Sequence, residues 1–150
     1  MVDANQLSAL VVDDNAYARE AAAATLRQLG VMRVIEAASG AAAIGSLLTE
    51  RFDLMFMDWY MPEMSGAALL EVVRDPRFGP HGSVPIILMT AYPSRENVVK
   101  ARQLGVNEVL VKPLTAHHVS IAMRRVLPNQ WELPEDDGED PAATGGQVFL

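Results

Sequence analysis

Four short apolar runs, each ending in a charged or hydroxyl-bearing residue, constrain the fold more than any other feature of this sequence. The most prominent is residues 53–58, in which Leu-Met-Phe-Met lies between two aspartates. Such a run is typical of a strand that is buried on both faces. The other three runs end at Asp13–Asp14, at Thr90 and at Lys112–Pro113. If the four are parallel strands of one sheet, their polar ends meet at a single edge.

The segments between these runs predict helices. Each helix is expected to follow a residue that can cap it, and the caps are Asn15, Ser39, Ser65, Ser94 and Thr115. The expected strands are 7–12, 31–36, 53–57, 84–89 and 108–111. Strands that alternate with helices five times predict an α/β fold, a doubly wound parallel sheet with helices on both faces. Sheets of this kind bind ligands outside the carboxyl ends of their strands, where the polar residues lie.

Composition limits the alternatives. The chain has 150 residues, half of them hydrophobic, which suits one domain with a packed core. It contains no cysteine, which excludes a disulfide framework and a thiolate metal site. No signal-peptide pattern and no bilayer-spanning apolar run are visible, so we expect a cytoplasmic protein that does not enter a membrane.

Charge divides the chain into two parts. Of the 19 acidic residues behind the net charge of −7, six lie within residues 132–140, and no basic residue follows Arg125. The rest of the chain is nearly neutral and lacks the basic surface of a nucleic-acid binder. We therefore expect a domain at 1–127 and an acidic tail, containing proline and glycine, at 128–150. The composition of the tail favours a solvated segment, although Trp131 and residues 148–150 could anchor it to the domain or to a neighbouring subunit.

The polar strand ends suggest a chemistry. Asp13, Asp14 and Asp58 would place negative charges close together, which raises their pKa values or demands a cation. An all-oxygen cluster suits Mg²⁺, and the backbone carbonyl of Tyr60 could supply another oxygen ligand. Lys112 and Thr90 would add an ammonium and a hydroxyl, completing a receptor for a tetrahedral dianion.

Phosphoryl transfer to a carboxylate needs little more than such a receptor, because positioning and charge neutralisation dominate its catalysis. Taken singly, these residues have ordinary explanations, such as a helix cap, a loop hydroxyl or a solvated lysine. Their joint occurrence at four strand ends is hard to attribute to chance. The Lys-Pro pair after a buried strand also makes Pro113 a candidate for a cis peptide bond.

Four motifs carry a family resemblance: Leu10-Val11-Val12-Asp13-Asp14-Asn15, Met57-Asp58-Trp59-Tyr60-Met61-Pro62-Glu63-Met64-Ser65-Gly66, Met89-Thr90-Ala91 and Val111-Lys112-Pro113-Leu114. With these motifs, residues 7–127 resemble the receiver domain of a two-component response regulator, of the stand-alone type that serves chemotaxis. The resemblance implies a flavodoxin-like (βα)5 fold with strand order 2-1-3-4-5. It also implies a switch that works by protein contact rather than an enzyme, although the domain takes part in its own phosphorylation and dephosphorylation.

The resemblance assigns a role to each site residue. Asp58 would accept a phosphoryl group from the phosphohistidine of a sensor histidine kinase or a histidine phosphotransfer protein. Asp14 and Asp58 would hold Mg²⁺ directly and Asp13 through water. The phosphoryl oxygens would contact Lys112, Thr90 and the backbone N–H of Ala91. Phosphorylation would then change the surface of the fourth helix, fifth strand and fifth helix, which a downstream protein target reads.

The sequence departs from the family pattern at Val109, where many receivers carry a tyrosine or phenylalanine that moves inward when the threonine binds phosphate. Tyr60 and Tyr92, each two residues past a site residue, flank the phosphoryl group in the family. Their bulk predicts slow hydrolysis. A homodimer is a further possibility that the charges at Arg95, Lys100, Arg124 and Arg125 do not decide.

Two other functions remain as alternatives. One is a pseudo-receiver that binds partners without being phosphorylated, against which the complete set of site residues argues. The other is a magnesium-dependent phosphohydrolase with an aspartyl nucleophile. Such an enzyme needs a general acid beside the nucleophile, whereas Trp59 and Tyr60 follow Asp58. The cognate kinase, the input signal and the target are not predicted.

Overall fold

The computed structural model describes residues 2–127. Beyond them it describes only the backbone of two residue pairs, Trp131–Glu132 and Val148–Phe149. Five main strands alternate with five helices. The strands are β1 Ser8–Val12, β2 Arg33–Ala37, β3 Leu54–Asp58, β4 Ile86–Thr90 and β5 Glu108–Val111. The helices are α1 Ala16–Gln28, α2 Gly40–Thr49, α3 Gly66–Val73, α4 Arg95–Gln103 and α5 Ala116–Val126. Short 3₁₀ turns occupy Ala4–Gln6, Pro76–Phe78 and Pro80–Ser83.

The main strands form a parallel sheet in the order β2-β1-β3-β4-β5. This confirms the predicted flavodoxin-like order 2-1-3-4-5. The register places Val12 opposite Met57, Asp58 opposite Met89, and Thr90 opposite Val111. The carboxyl ends of β1, β3, β4 and β5 are therefore level, and the residues that end or follow these strands share one edge of the sheet.

Helices cover both faces of the sheet, which explains why every residue of β3 and β4 is buried. Alternate residues of β3 belong to two separate clusters, as the two-residue period of a strand requires. Met55 and Met57 lie in a cluster with residues of α2, α3 and α4. Leu54 and Phe56 lie in a cluster with residues of α1 and α5. The central strand thus has core packing on both sides, which holds its carboxyl end in a fixed position.

The five predicted caps are confirmed. In each case the side-chain oxygen accepts a hydrogen bond from the backbone N–H three residues later, at Asn15, Ser39, Ser65, Ser94 and Thr115. This bond satisfies one of the N–H groups that the first turn of a helix leaves without an intrahelical partner. Glycines with positive φ follow the ends of two helices, Gly30 after α1 and Gly105 after α4.

Several predicted strand limits were wrong by one or two residues. The second strand begins at Arg33 rather than Val31, because the Val31 N–H bonds back to the Leu26 carbonyl at the end of α1. The fourth strand begins at Ile86 rather than Val84, because Pro85 has no N–H to donate to the ladder. Asp58 is the last residue of β3 rather than the first residue of the loop after it.

The described part of the tail makes two backbone contacts. Trp131–Glu132 pairs in parallel with Val2–Asp3. Val148–Phe149 pairs antiparallel with β5 and adds a sixth strand to the main sheet. The remainder of the predicted tail at 128–150 lies outside the described residues, so the division of the chain at 127 stays a prediction. Within the part of the chain that is described, no helix has both the length and the apolarity needed to cross a membrane.

Candidate functional site

Three carboxylates meet at the carboxyl edge of the sheet. Asp13 and Asp14 follow β1, and Asp58 ends the neighbouring β3. One carboxylate oxygen from each lies within 4.8 Å of the other two. Asp13 is fully buried, Asp58 is 9% exposed and Asp14 is open to solvent. The exposed Asp14 therefore gives solvent and ligands access to the cluster.

Lys112, just past the end of β5, neutralises part of this charge. Its Nζ donates to Asp13 Oδ2 at 2.7 Å and lies 3.3 Å from Asp58 Oδ1. Burial lowers the pKa of the Lys112 ammonium, but the hydrogen bond to Asp13 and the charge of Asp58 raise it more, so the net pKa is raised. The ammonium therefore stays charged at neutral pH.

For Asp58, burial has a larger effect on the pKa of the carboxyl than the neighbouring charges have. Loss of hydration raises the pKa of its carboxyl, and the nearby Asp13 charge raises it further. The Lys112 charge opposes both effects without cancelling them. The ionised form of Asp58 is consequently less stable than that of a solvated aspartate. A bound cation, or a covalent bond to an electrophile, would remove this destabilisation.

Thr90 ends β4 beside this cluster and is almost completely buried. Its Oγ1 accepts a hydrogen bond from the Tyr92 N–H at 2.9 Å, and its carbonyl accepts one from the Lys112 N–H at 2.8 Å. Ala91, the next residue, is exposed. The Lys112–Pro113 peptide bond is cis. The loops after β4 and β5 are thus tied together beside the carboxylates.

Two contacts that sequence reasoning missed hold the backbone at Asp13 and just after Asp58. Arg19 on α1 donates through Nη1 to the Asp13 carbonyl at 2.9 Å and through Nε to Glu36 at 3.1 Å. Gly66, the first residue of α3, donates its N–H to the Trp59 carbonyl at 2.9 Å. A Cβ at Gly66 would come within 2.8 Å of the Asp58 carbonyl oxygen. The glycine in the Met-Pro-x-Met-x-Gly string could have indicated this close approach of α3 to the backbone at Asp58. A single arginine on a helix gives no indication in the sequence of its bond to Asp13.

Two tyrosines form a rim. Tyr60 follows β3 and Tyr92 follows β4, and their rings meet edge to face with centroids 5.9 Å apart. Both residues are well exposed, at 54% and 69%. Asn97 of α4 donates to the Tyr60 hydroxyl at 2.7 Å, a contact that sequence reasoning also missed. The two loops that leave the site residues Asp58 and Thr90 are therefore in contact with each other.

Val109 lies away from this rim. It is fully buried within β5, where it pairs with Leu88 and packs in the same cluster as Met57. Position 109 therefore carries a short, buried side chain. It has no aromatic ring that could rotate between a buried and an exposed state.

The donor set agrees with a magnesium site. Asp13, Asp14 and Asp58 offer only carboxylate oxygens, which hard divalent cations prefer, and the exposed position of Asp14 leaves room for water. The structure brings these three residues and Lys112 together, with Thr90 and Ala91 at the neighbouring strand end. The Tyr60 carbonyl follows two residues after Asp58.

Comparisons with known proteins agree with this geometry. The sequence model of the family described as "Response regulator receiver domain" matches residues 9–124. The chain is 37% identical over 118 residues to the chemotaxis protein CheY of Pseudomonas aeruginosa, covering 79% of this chain and 94% of that protein. It is 38% identical over 107 residues to the chemotaxis protein CheY-3 of Vibrio cholerae, covering 71% and 81%.

Solved structures show the same fold. The chemotaxis response regulator CheY4 of Vibrio cholerae superposes with a TM-score of 0.72 at 30% identity, covering 81% of this chain and 98% of that chain. The receiver domain of a sensor histidine kinase from Pseudomonas aeruginosa, solved with a magnesium ion coordinated in its active-site cleft, gives 0.70 at 30% identity, covering 80% and 97%. Most of each relative is thus matched, and the chain belongs to the response regulator receiver domain family of two-component signalling.

Proposed function

We propose that this chain is a stand-alone response regulator whose Asp58 accepts a phosphoryl group from the phosphohistidine of a sensor histidine kinase or a histidine phosphotransfer protein. One observation carries the proposal. The Asp58 carboxylate lies at the end of the central strand, 3.3 Å from the Lys112 ammonium and within 4.8 Å of two other carboxylates. That combination supplies a nucleophile, a cation and a metal-binding group at a single point.

In the transfer step an Asp58 carboxylate oxygen attacks the phosphorus atom. The bond between phosphorus and the donor's imidazole nitrogen breaks, and the electron pair leaves with that nitrogen, which takes up a proton. The product is an acyl phosphate on Asp58 and a neutral histidine on the donor. Lys112 needs to move little, because its Nζ already lies beside Asp58 and can pair with a phosphoryl oxygen.

Asp14 and Asp58 would hold Mg²⁺ directly, Asp13 would hold it through water, and the Tyr60 carbonyl would offer a further oxygen. Mg²⁺ bound there would neutralise charge on the phosphoryl oxygens and on the carboxylates. The solved receiver domain with magnesium in its cleft supports this part of the proposal by analogy. Burial of Asp13 and Asp58 keeps water away from the other sides of the cluster.

Thr90 and the Ala91 N–H would bind the remaining phosphoryl oxygens. The Thr90 O–H can donate to a phosphoryl oxygen while Oγ1 still accepts from the Tyr92 N–H, so a shift of Thr90 toward the phosphoryl group would make the loop after β4 adjust as well. The Lys112 N–H is bonded to the Thr90 carbonyl, so the adjustment extends to the loop after β5. We propose that the downstream protein target reads the position of α4, β5 and α5 through these backbone links, since position 109 carries no ring.

The donor protein has a surface to dock on. A groove of about 420 Å³ opens between α1 and the loop after β5, directly beside Lys112. Its lining is mostly small or apolar, with Ala18, Ala21 and Leu114 among the residues, and Tyr17 projects at its side with 85% of its surface exposed. An apolar groove of this kind suits the side of a helix that carries the donor histidine.

The remaining parts of the proposal follow from the family. Residues 1–127 form the receiver unit, residues 128–150 are an appendage to it, and the protein works in the cytoplasm where a kinase can reach it. It turns over no external substrate. Light scattering of the chain before and after phosphorylation tests whether it forms a homodimer.

The test is incubation with Mg²⁺ and a small phosphodonor such as acetyl phosphate, followed by intact mass measurement. A mass gain of one phosphoryl group, stable in acid and labile in alkali, is expected for the native chain and absent from Asp58→Asn. If the native chain gains no group, the pseudo-receiver alternative holds. Rapid turnover of many phosphomonoesters would support the phosphohydrolase alternative.

A further inference from the structure

A chain of contacts runs from helix α4 to the buried hydroxyl of the site. The Asn97 side-chain amide in the first turn of α4 donates to the Tyr60 hydroxyl at 2.7 Å. The Tyr60 ring packs edge-on against the Tyr92 ring at an interplanar angle of 82°. The Tyr92 N–H in turn donates to Thr90 Oγ1. Of these four residues, Asn97 is the one to which the proposed phosphoryl transfer assigns no role.

Asn97 is well suited to hold a ring in place. Its own backbone N–H is bonded to the Ser94 cap at 3.1 Å, so the amide is presented from an ordered helical turn. Tyr60, by contrast, follows a strand end and exposes half of its side chain. An edge-to-face ring contact and a single intramolecular hydrogen bond have similar, modest net strengths, so the bond from Asn97 contributes to fixing the ring about as much as the contact with Tyr92 does.

We propose that Asn97 is a positioning residue for loss of the phosphoryl group from Asp58, and that it acts by holding the Tyr60 ring at the mouth of the site. This inference deepens the proposed function and rests on it. In the hydrolysis step a water oxygen attacks phosphorus, the bond to the Asp58 oxygen breaks, and aspartate and inorganic phosphate form while the proton of the water passes to solvent. The held ring restricts the approach of that water.

The arrangement also makes the rate depend on helix α4. A partner that draws α4 away from the loop after β3 would break the contact and release the ring. A partner that binds α4 in its present position would preserve it. Partner contact at α4 would therefore change the lifetime of the phosphoryl group.

The experiment uses the full chain, loaded with phosphoryl group from acetyl phosphate in Mg²⁺ and then freed of donor by desalting. The fraction of chains that retain the group is followed by intact mass over time. Asn97→Leu removes the amide and keeps the approximate size, and Tyr60→Phe removes only the hydroxyl. Each is expected to shorten the lifetime about two- to fivefold, the range that one hydrogen bond of modest net strength allows.

Two further variants separate positioning from general damage. The double variant Asn97→Leu with Tyr60→Phe should decay no faster than either single variant, because both remove the same contact. Asn97→Asp should restore the native lifetime, because the tyrosine hydroxyl can donate to a carboxylate. Gln103→Leu, at the exposed last residue of the same helix, is the matched control and should decay at the native rate.

The inference is overturned if Asn97→Leu decays at or below the native rate, if the two single effects multiply in the double variant, or if Asn97→Asp decays as fast as Asn97→Leu. Failure of the proposed function has a different signature, since the native chain would then gain no phosphoryl group at all, and the inference would fall with it.

Discussion

Replacing Lys112 by methionine tests the electrostatics of the site in the metal-free protein. The Lys112 Nζ lies 2.7 Å from Asp13 and 3.3 Å from Asp58, and Asp13 is completely buried. At an effective dielectric constant of about 20, each contact corresponds to roughly 5–6 kcal/mol of attraction, most of which desolvation offsets. Removing one partner of a fully buried pair costs about 3–5 kcal/mol. Because the Lys112 side chain is 20% exposed, we expect Lys112→Met to lower the free energy of unfolding by about 2–3 kcal/mol.

The effect should depend on pH with a definite sign. Burial already raises the pKa of the Asp58 carboxyl, and the loss of the Lys112 charge would raise that pKa further. An acid whose pKa is higher in the folded state destabilises that state when it is ionised, and the penalty is relieved as the pH falls through the folded-state pKa. The deficit of Lys112→Met should therefore be complete at neutral pH and shrink as the pH falls toward the ordinary aspartate value of 3.8. Saturating Mg²⁺ should shrink it as well, because a second cation then offsets the carboxylates.

Urea unfolding followed by far-UV circular dichroism measures these free energies, with chelator present and at two pH values. Arg51→Met is the matched control, because Arg51 is 81% exposed and lies 4.0 Å from Asp53. It should change the stability by no more than about 0.5 kcal/mol. A Lys112→Met deficit as small as that of the control, or one that grows as the pH falls, would refute the electrostatic reasoning.

Four further variants test the packing at Gly66, the bonds of Arg74 and the metal site. Gly66→Ala should lower the free energy of unfolding by about 1–3 kcal/mol, because a Cβ there would lie 2.8 Å from a backbone oxygen. Gly45→Ala should raise it by about 0.5–1 kcal/mol, because a Cβ there would have no neighbour within 4 Å. Equal melting temperatures of the two variants would contradict this reasoning. Arg74→Met should lower the free energy of unfolding in urea by about 2–3 kcal/mol. The reason is that the half-buried guanidinium donates to two loop carbonyls and a side-chain amide at 2.7–3.1 Å. A loss below about 1 kcal/mol would show that those bonds are weak. Asp13→Asn should weaken Mg²⁺ binding at least about tenfold in calorimetric titration, and unchanged affinity would remove Asp13 from the metal site.

The sheet could be predicted from the sequence because its central strands are buried on both faces. Continuous apolar runs at 54–57 and 86–89 are the direct signature of that burial. The clustering of Asp13, Asp58 and Lys112 followed from the topology, since parallel strands end at the same edge. The helix starts were equally readable, because a cap is a local bond between residues three positions apart.

Other features depend on geometry that no local pattern encodes. The bond from Lys112 to Asp13 joins residues 99 positions apart, and its 2.7 Å length depends on the side-chain conformations of both. The bond between Asn97 and Tyr60 joins a helix to a loop across 37 positions of the chain. The Val148–Phe149 strand is too short for its periodicity to be recognised. Such contacts need the assembled fold, even when each element has been predicted correctly.

The central claim is that Asp58 is the residue that carries the phosphoryl group. Borohydride reduces an aspartyl phosphate to homoserine and leaves a free carboxylate unchanged, so it marks the phosphorylated residue permanently. The chain is loaded with Mg²⁺ and acetyl phosphate, reduced, digested and analysed by peptide mass spectrometry. The predicted result is homoserine at position 58. It should form only with Mg²⁺, and it should be absent or strongly reduced in the Lys112→Met variant. Homoserine at Asp13 or Asp14, or at no position, would contradict the account.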